Sequence, residues 1–373
     1  MQSAQQLADE EAPARVANLR ASLKILKRCC QDDAEGKRKI LEAQELLVAA
    51  VTAPPLLCML ATPAAADDLV ELAHLLELTT SDYARALEML QRAWALRRSL
   101  AATPSPLSQT GDALILFRQG RVYFRQGRHD EALQHYKQSL EIRTRVLSGD
   151  HPDVAASYNN IGVVYSRQGR LDEALAQYQQ YHEIKIRVLG RDHPDVAVSY
   201  NNMGSVYSKQ GRLDEALAQY QQSLEIRIRA LGPDNPNVAM SYNNIGETYM
   251  EQGRLDEALA QHQQSLEIMI RVMGPDHPDV ATSYNNIGVV YMEQGRLDKA
   301  LAQHQQSLEI KIRVLGLDHP DVAESKHNMG SVLQQMNRKG EAKDMFTQAA
   351  ATRLKFFGPD HALTQKSQLL TAD

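Results

Sequence analysis

A chain of 373 residues with net charge −5 and 23% charged side chains lacks the basic excess of a general nucleic-acid binder. Its three cysteines, Cys29, Cys30 and Cys58, have no CxxC spacing and make no disulfide framework, which fits reduced thiols in the cytoplasm. No apolar run approaches the roughly 18–20 residues of a membrane span, and the polar, acidic opening MQSAQQLADEEAP does not read as a secretory signal.

Residues 1 to about 13 read as a disordered leader. From Arg15, the residues Val16, Leu19, Leu23, Leu26 and Cys30 follow a 3-4-3-4 spacing among Lys and Arg. Two heptads fall short of the three or four that a coiled coil needs, and Asp33 and Lys37 interrupt the seam. The expectation is an amphipathic helix lying on the rest of the fold. Ile40 to Val51 reads as another helix, ended before Pro54-Pro55. Residues 1–62 are therefore taken as an N-terminal helical region with a heptad stub. Residues 63–110 read as a degenerate hairpin and linker. Leu69 to Leu78 would be its first helix, and Tyr83, Ala86, Leu90, Ala93 and Trp94 mark its second, with Thr80-Ser81 where a turn glycine is expected. A Pro, Ser and Thr-rich loop, Ala101 to Thr110, follows.

From 111 to 361 the chain repeats itself. SYNNIGVVYSRQGRLDEALAQYQQ, starting at Ser157, returns from Ser199, Ser241 and Ser283, with a weaker copy through Ser325 and a divergent one from about Gly111. A fixed period means stacked copies of one supersecondary unit, each too small to bury its apolar face alone. Six copies start near Asp112, Val154, Val196, Val238, Val280 and Val322. In the second, Pro152 suits a first helical turn and Asp153 complements the positive helix end. Tyr158, Ile161, Gly162 and Tyr165 then share one helix face. Gly169 stops that helix, and a second runs from Leu171 to Gly190 with Ala174, Tyr178, Ile184 and Val188 apolar. Asn337 replaces the turn glycine in the last copy; asparagine tolerates the left-handed region best among side chains, so the turn is expected to survive. Residues 362–373 are expected to cap the array. The predicted fold class is all-α, a right-handed superhelical solenoid of antiparallel helix pairs.

The small, aromatic, small, aromatic order of Gly162, Tyr165, Ala174 and Tyr178 reproduces the tetratricopeptide pattern. With the 42-residue period and the GxDHPDVA-type linker, the array from about Gly111 to Asp360 resembles the tetratricopeptide repeats of kinesin light chains. That family carries a similar LNNLA core. The resemblance implies a non-enzymatic adaptor that binds extended, acidic, aromatic-centred peptide segments of other proteins in a groove lined by the first helices. It also implies pairing with the kinesin heavy chain through a long heptad region. Here the heptads amount to a stub, which weighs against that association. Repeats of this type also serve as the sensor part of larger signalling ATPases. No nucleotide-binding segment exists in this sequence, so in that second reading the chain is a fragment or a partner subunit. A chaperone-type carboxylate clamp is disfavoured, because Val163, Ser205 and Glu247 occupy its key asparagine position.

Nothing in the sequence carries catalysis: GxSxG, HExxH, a phosphate-binding glycine loop and metal-type Cys/His clusters are all missing. No cofactor or metal is expected. His151, His193, His277 and His319, each before a proline, are read as helix caps. His262 and His304 replace the core tyrosines and are read as half-buried, satisfied histidines. At 100° per residue, Ala156, Asn160, Val163 and Arg167 lie opposite the core stripe, on the side that the resemblance turns toward the groove. Asn160 recurs as Asn202, Asn244, Asn286 and Asn328, with Arg118 in the first repeat. A carboxamide both donates and accepts, so this register suits a peptide backbone; the same register lines the cargo groove of kinesin light chains. The neighbouring Asn159, Asn201, Asn243 and Asn285 sit to the side as weaker candidates. Flanking registers hold Arg118, Arg121, Arg125, Arg167 and Lys209 early, then Glu247, Glu251, Glu293 and Glu324. An acidic peptide is expected over repeats one to three, with Val198 and Met240 supplying apolar pockets.

Overall fold

The computed structural model describes residues 82–100, 105–359 and 361–369, together with individual positions between 66 and 77. The expected N-terminal helices, the three cysteines, Thr80-Ser81 and residues 370–373 lie outside the described residues. Every described element is a helix: α1 (Tyr83–Leu100), α2 (Pro106–Arg125), α3 (His129–Val146), α4 (Pro152–Arg167), α5 (Leu171–Leu189), α6 (Pro194–Lys209), α7 (Leu213–Leu231), α8 (Pro236–Glu251), α9 (Leu255–Met273), α10 (Pro278–Glu293), α11 (Leu297–Leu315), α12 (Pro320–Gln335), α13 (Lys339–Phe357) and α14 (Ala362–Leu369). The chain forms two compact units, one ending at Ile184 and the other starting at Lys185.

The helix boundaries follow from local chemistry. Proline opens α4, α6, α8, α10 and α12, where its missing N–H costs nothing. The residue before it caps the helix: the Nδ1 atoms of His151, His193, His277 and His319 accept from the backbone N–H of Asp153, Asp195, Asp279 and Asp321 at 3.1–3.2 Å. Asn235 does the same through Oδ1 at 2.9 Å. The histidine ladder is thus a set of caps, each satisfying an otherwise orphaned donor. Gly169 turns the chain at φ 73°, and Asn337, at φ 60°, makes the same turn.

In the first unit, helical positions between 66 and 77 pack on α1 through Leu69, Val70, Ala73, Met89 and Leu90, and this core reaches Ile115 and Val122 of α2. Helix α2 then pairs with α3, and α3 packs on α4. A Cβ on Gly162 would lie 2.7 Å from the Tyr178 ring. Only glycine lets α4 and α5 approach that closely. Buried Arg143 ties α3 to α4, donating to Asp153 O and Ser157 Oγ, both at 2.8 Å.

In the second unit, each helix from α6 to α14 packs on the next. The close glycine contact recurs against Tyr220, His262, His304 and Phe346. Arg227 ties α7 to α8 through Asn237 O (2.9 Å) and Ser241 Oγ (2.8 Å). Successive pairs are also clasped at their linkers by Arg229–Asp192, Arg271–Asp234, Arg313–Asp276 and Lys355–Asp318. These are exposed pairs, each contributing under about 1 kcal/mol.

Candidate peptide-binding faces

On the first unit, the predicted residues fall on α2 and α4. Arg121 is not open to a ligand: its Nη2 donates to Oε1 of Glu77 at 2.8 Å, and the Glu77 side chain is 3% exposed. Burial works to raise the Glu77 carboxyl, but hydrogen bonding from His74 and the charge of Arg121 outweigh it and hold the group below the usual carboxylate range. Arg118 is half-buried, with Nε and Nη1 unpartnered among the described residues. Burial, then the like charge of Arg121, lowers its pKa. Arg125 and Arg167 stand exposed. Asn160 turns its Nδ2 onto Ala156 O of its own helix at 2.8 Å. Of the basic registers read from the sequence, only Arg125 and Arg167 present open cations on this unit. The signal that could have warned of this is Glu77 itself, one of two acids, with Glu71, in the apolar stretch whose core reaches α2.

On the second unit, the asparagine register is a ladder between neighbouring helix pairs. Asn244 Nδ2 donates to Asn201 Oδ1 at 2.8 Å, Asn286 to Asn243 at 2.7 Å, and Asn328 to Asn285 at 2.8 Å. Asn202 is engaged as well. One of the two Nδ2 hydrogens of Asn244, Asn286 and Asn328 is therefore spent inside the stack. No hydrogen bond reaches the Oδ1 of Asn244, Asn286 or Asn328 among the described residues, so this row offers a carboxamide oxygen and one remaining N–H at each rung. The first asparagine of each Asn-Asn pair, set aside on helical geometry, is the acceptor that builds the ladder. Its recurrence beside the second one was the available clue.

Asn243 carries more of the site than its position on the helix suggested. Its Nδ2 donates to Glu247 Oε1 at 2.8 Å, while its Oδ1 receives Asn286 and lies 3.1 Å from His262 Nδ1. Asn285 faces His304 Nδ1 at 3.2 Å. The two histidines are fully buried rather than half-buried, and each leaves its Nε2 without a partner among the described residues. Glu247, Glu251 and Glu293 are exposed, and Glu251 accepts from Ser208 Oγ at 3.0 Å. Although Glu247 reaches solvent, partial burial of its carboxyl and the charge on Glu251 raise that group, against the lowering effect of the Asn243 hydrogen bond. Lys209 is exposed but engaged, and Glu324 pairs with Lys311 at 3.3 Å. Val198 and Met240 lie on the same face at 36% and 49% exposure. Leu114, at 38%, holds the equivalent register on the first unit. It was missed because its repeat is the most divergent one.

The family model described as "Tetratricopeptide repeat" matches in overlapping segments from 112 to 355, and a second model of the same description matches 72–145. Among solved structures, BtubC (BKLC) from P. vanneervenii is similar at 24% identity and TM-score 0.54, over 63% of this chain and 93% of that one. A Podosopora anserina kinesin light chain type protein with "nearly identical TPR-like repeats" is similar at 24% identity and TM-score 0.50, over 55% and 97%. A signal transduction ATPase (STAND) protein with a tetratricopeptide repeat sensor, from Pyrococcus horikoshii, is similar at 13% identity and TM-score 0.57. The match covers 91% of this chain and 49% of that one. At these identities the likeness is one of fold. No curated protein matches the chain. Among the described residues no helix is long and apolar enough to cross a membrane.

Proposed function

The chain belongs to the tetratricopeptide repeat family, a protein–protein interaction scaffold that is generally non-catalytic, and within it we propose a non-enzymatic adaptor that holds extended peptide segments of partner proteins against its first helices, as kinesin light chains do. The observation that carries this reading is the face of α6, α8, α10 and α12. There Val198 and Met240 stay exposed, and the carboxamide oxygens of Asn244, Asn286 and Asn328 take no hydrogen bond among the described residues. An extended peptide supplies backbone N–H donors at regular intervals, each worth about 1 kcal/mol net on such an acceptor, and apolar side chains for Val198 and Met240. On the first unit the open cations are Arg125 and Arg167, so the segment bound there is acidic.

Fluorescence polarisation with a labelled acidic, aromatic-centred peptide tests the placement on the first unit. The double variant Arg125→Glu/Arg167→Glu weakens binding at least tenfold if those cations hold the ligand; an unchanged affinity removes them from the site. A pull-down with the full chain followed by mass spectrometry reads the partner. Recovery of a kinesin heavy chain would give the adaptor its motor. A second reading, the sensor part of a signalling ATPase, draws on the fold shared with the Pyrococcus horikoshii protein. It predicts an ATPase-bearing segment in a longer gene model or an adjacent gene.

A further inference from the structure

Five of the six repeats place a tyrosine at one register of the first helix: Tyr123, Tyr165, Tyr207, Tyr249 and Tyr291. In each, an arginine from the following turn lies over the ring, at 4.5, 4.4, 4.4, 4.3 and 4.8 Å from its centroid. In the second repeat that arginine, Arg170, is held by Glu173 at 2.7 Å. The sixth repeat breaks the pattern. Leu333 takes the tyrosine's place, while Arg338 keeps the equivalent pair to Glu341 at 2.6 Å. The clamp is built and its ring is missing.

A cavity of about 550 Å³ opens at this point between α11 and α13, within the usual range of ligand sites. Leu301, Met329, Leu333 and Met345 form its floor, and Asp298 and Asp344 stand at its rim beside the Arg338–Glu341 pair. Two of these residues are further departures from the repeat. Asp344 and Met345 replace an alanine and a glutamine, Ala302 and Gln303, of the preceding copy. The substitutions together remove a ring, add a polarisable thioether and add a negative charge, all at one place.

We propose that this cavity docks an aromatic side chain of a partner protein, carried next to a lysine or arginine. The visiting ring takes the place under Arg338 that the other repeats fill with their own tyrosine, a cation–π arrangement. The methionine sulfurs of the floor favour an aromatic edge, and the adjacent cation meets Asp298 and Asp344. The lining residues on α12, Met329 and Leu333, are not those of the asparagine register, and the cavity calls for a partner of opposite charge to the one placed on the first unit.

The test is an NMR titration of the full chain, labelled at its methionine methyls. The probe is a synthetic Gly/Ser peptide bearing one Trp followed by two Lys, added up to about 1 mM, the range of weak specific contacts. Saturable shifts of the Met329 and Met345 methyls are expected. Leu333→Tyr restores the residue that five sister repeats fold with, and it fills the place in cis, so the shifts disappear. A peptide with Glu in place of Lys binds at least tenfold more weakly, and Asp344→Lys has the same effect on the original peptide. No saturable shift at the two methyls, undiminished binding by Leu333→Tyr, or equal binding of a peptide with Ala in place of Trp would each overturn the proposal. The acidic peptide of the first-helix face still binds Leu333→Tyr, so the two readings fail separately.

Discussion

Replacing His262 and His304 by tyrosine should flatten the acid limb of this protein's stability. Both histidines sit where Tyr136, Tyr178 and Tyr220 fill the helix pair in other repeats, and they are 1% and 0% exposed. Each Nδ1 faces an asparagine oxygen, so Nδ1 carries the hydrogen and Nε2 is bare, packed against the glycine of the partner helix. Burial lowers both groups to about 4, helped for His304 by the charge of Lys311. The unfolded side chain titrates near 6.5. Between those values the unfolded chain binds protons that the folded chain refuses, so the stabilisation is complete above about pH 6.5. It is lost progressively as the pH falls toward 4. From 6.5 to about 4, at about 1.4 kcal/mol for each pH unit, the loss is about 3 kcal/mol per histidine. In a repeat array stability is local, so opening begins among α8–α11. Urea unfolding followed by circular dichroism at pH 7 and pH 4.5 reads the difference. The wild type should lose several kcal/mol across that interval and His262→Tyr/His304→Tyr distinctly less, the remainder coming from groups such as His327, itself lowered to about 4. Equal losses in the two proteins would refute the reasoning.

Three further outcomes follow from the packing. Asn286→Ala withdraws the 2.7 Å donation to Asn243 and should cost about 1 kcal/mol in chemical denaturation, whereas Asn160→Ala, which loses only a bond within its own helix, should cost less. Gly162→Ala puts a methyl 2.7 Å from the Tyr178 ring and should destabilise by about 1–3 kcal/mol; a thermal midpoint equal to wild type would contradict the close approach. Arg121→Glu sets a carboxylate against buried Glu77, so it should cost about 3 kcal/mol or more, while Arg125→Glu should leave the unfolding midpoint in place and act only on peptide binding.

The architecture was legible because the 42-residue period states it repeatedly. His151, Pro152, Gly162, Gly169 and Ala174 each have one structural use, and the helices begin and end where those residues say. The candidate site was legible only as a choice of face. A helical wheel gives direction, so it placed Val198, Met240 and the asparagine register on one exposed side. It cannot show what the preceding helix brings into reach. That is why Arg121 read as an open cation when Glu77 lay 44 positions earlier in the chain, and why the asparagines read as whole carboxamides when a partner 43 positions away took one N–H of each.

The same limit explains where new function has room to arise in such an array. A residue that recurs from copy to copy is held within the stack, the asparagine ladder by the neighbouring copy and the capped tyrosines by an arginine of their own copy. It is therefore committed to the stack before any ligand arrives. A position that departs from the pattern is released from that duty. Arg118 in the asparagine register keeps two buried nitrogens unpartnered among the described residues. Leu333 in the tyrosine register leaves Arg338 with no ring of its own repeat beneath it. In a protein built from near-copies, the exceptions add surfaces open to a partner beside the carboxamide oxygens that the repeats leave over.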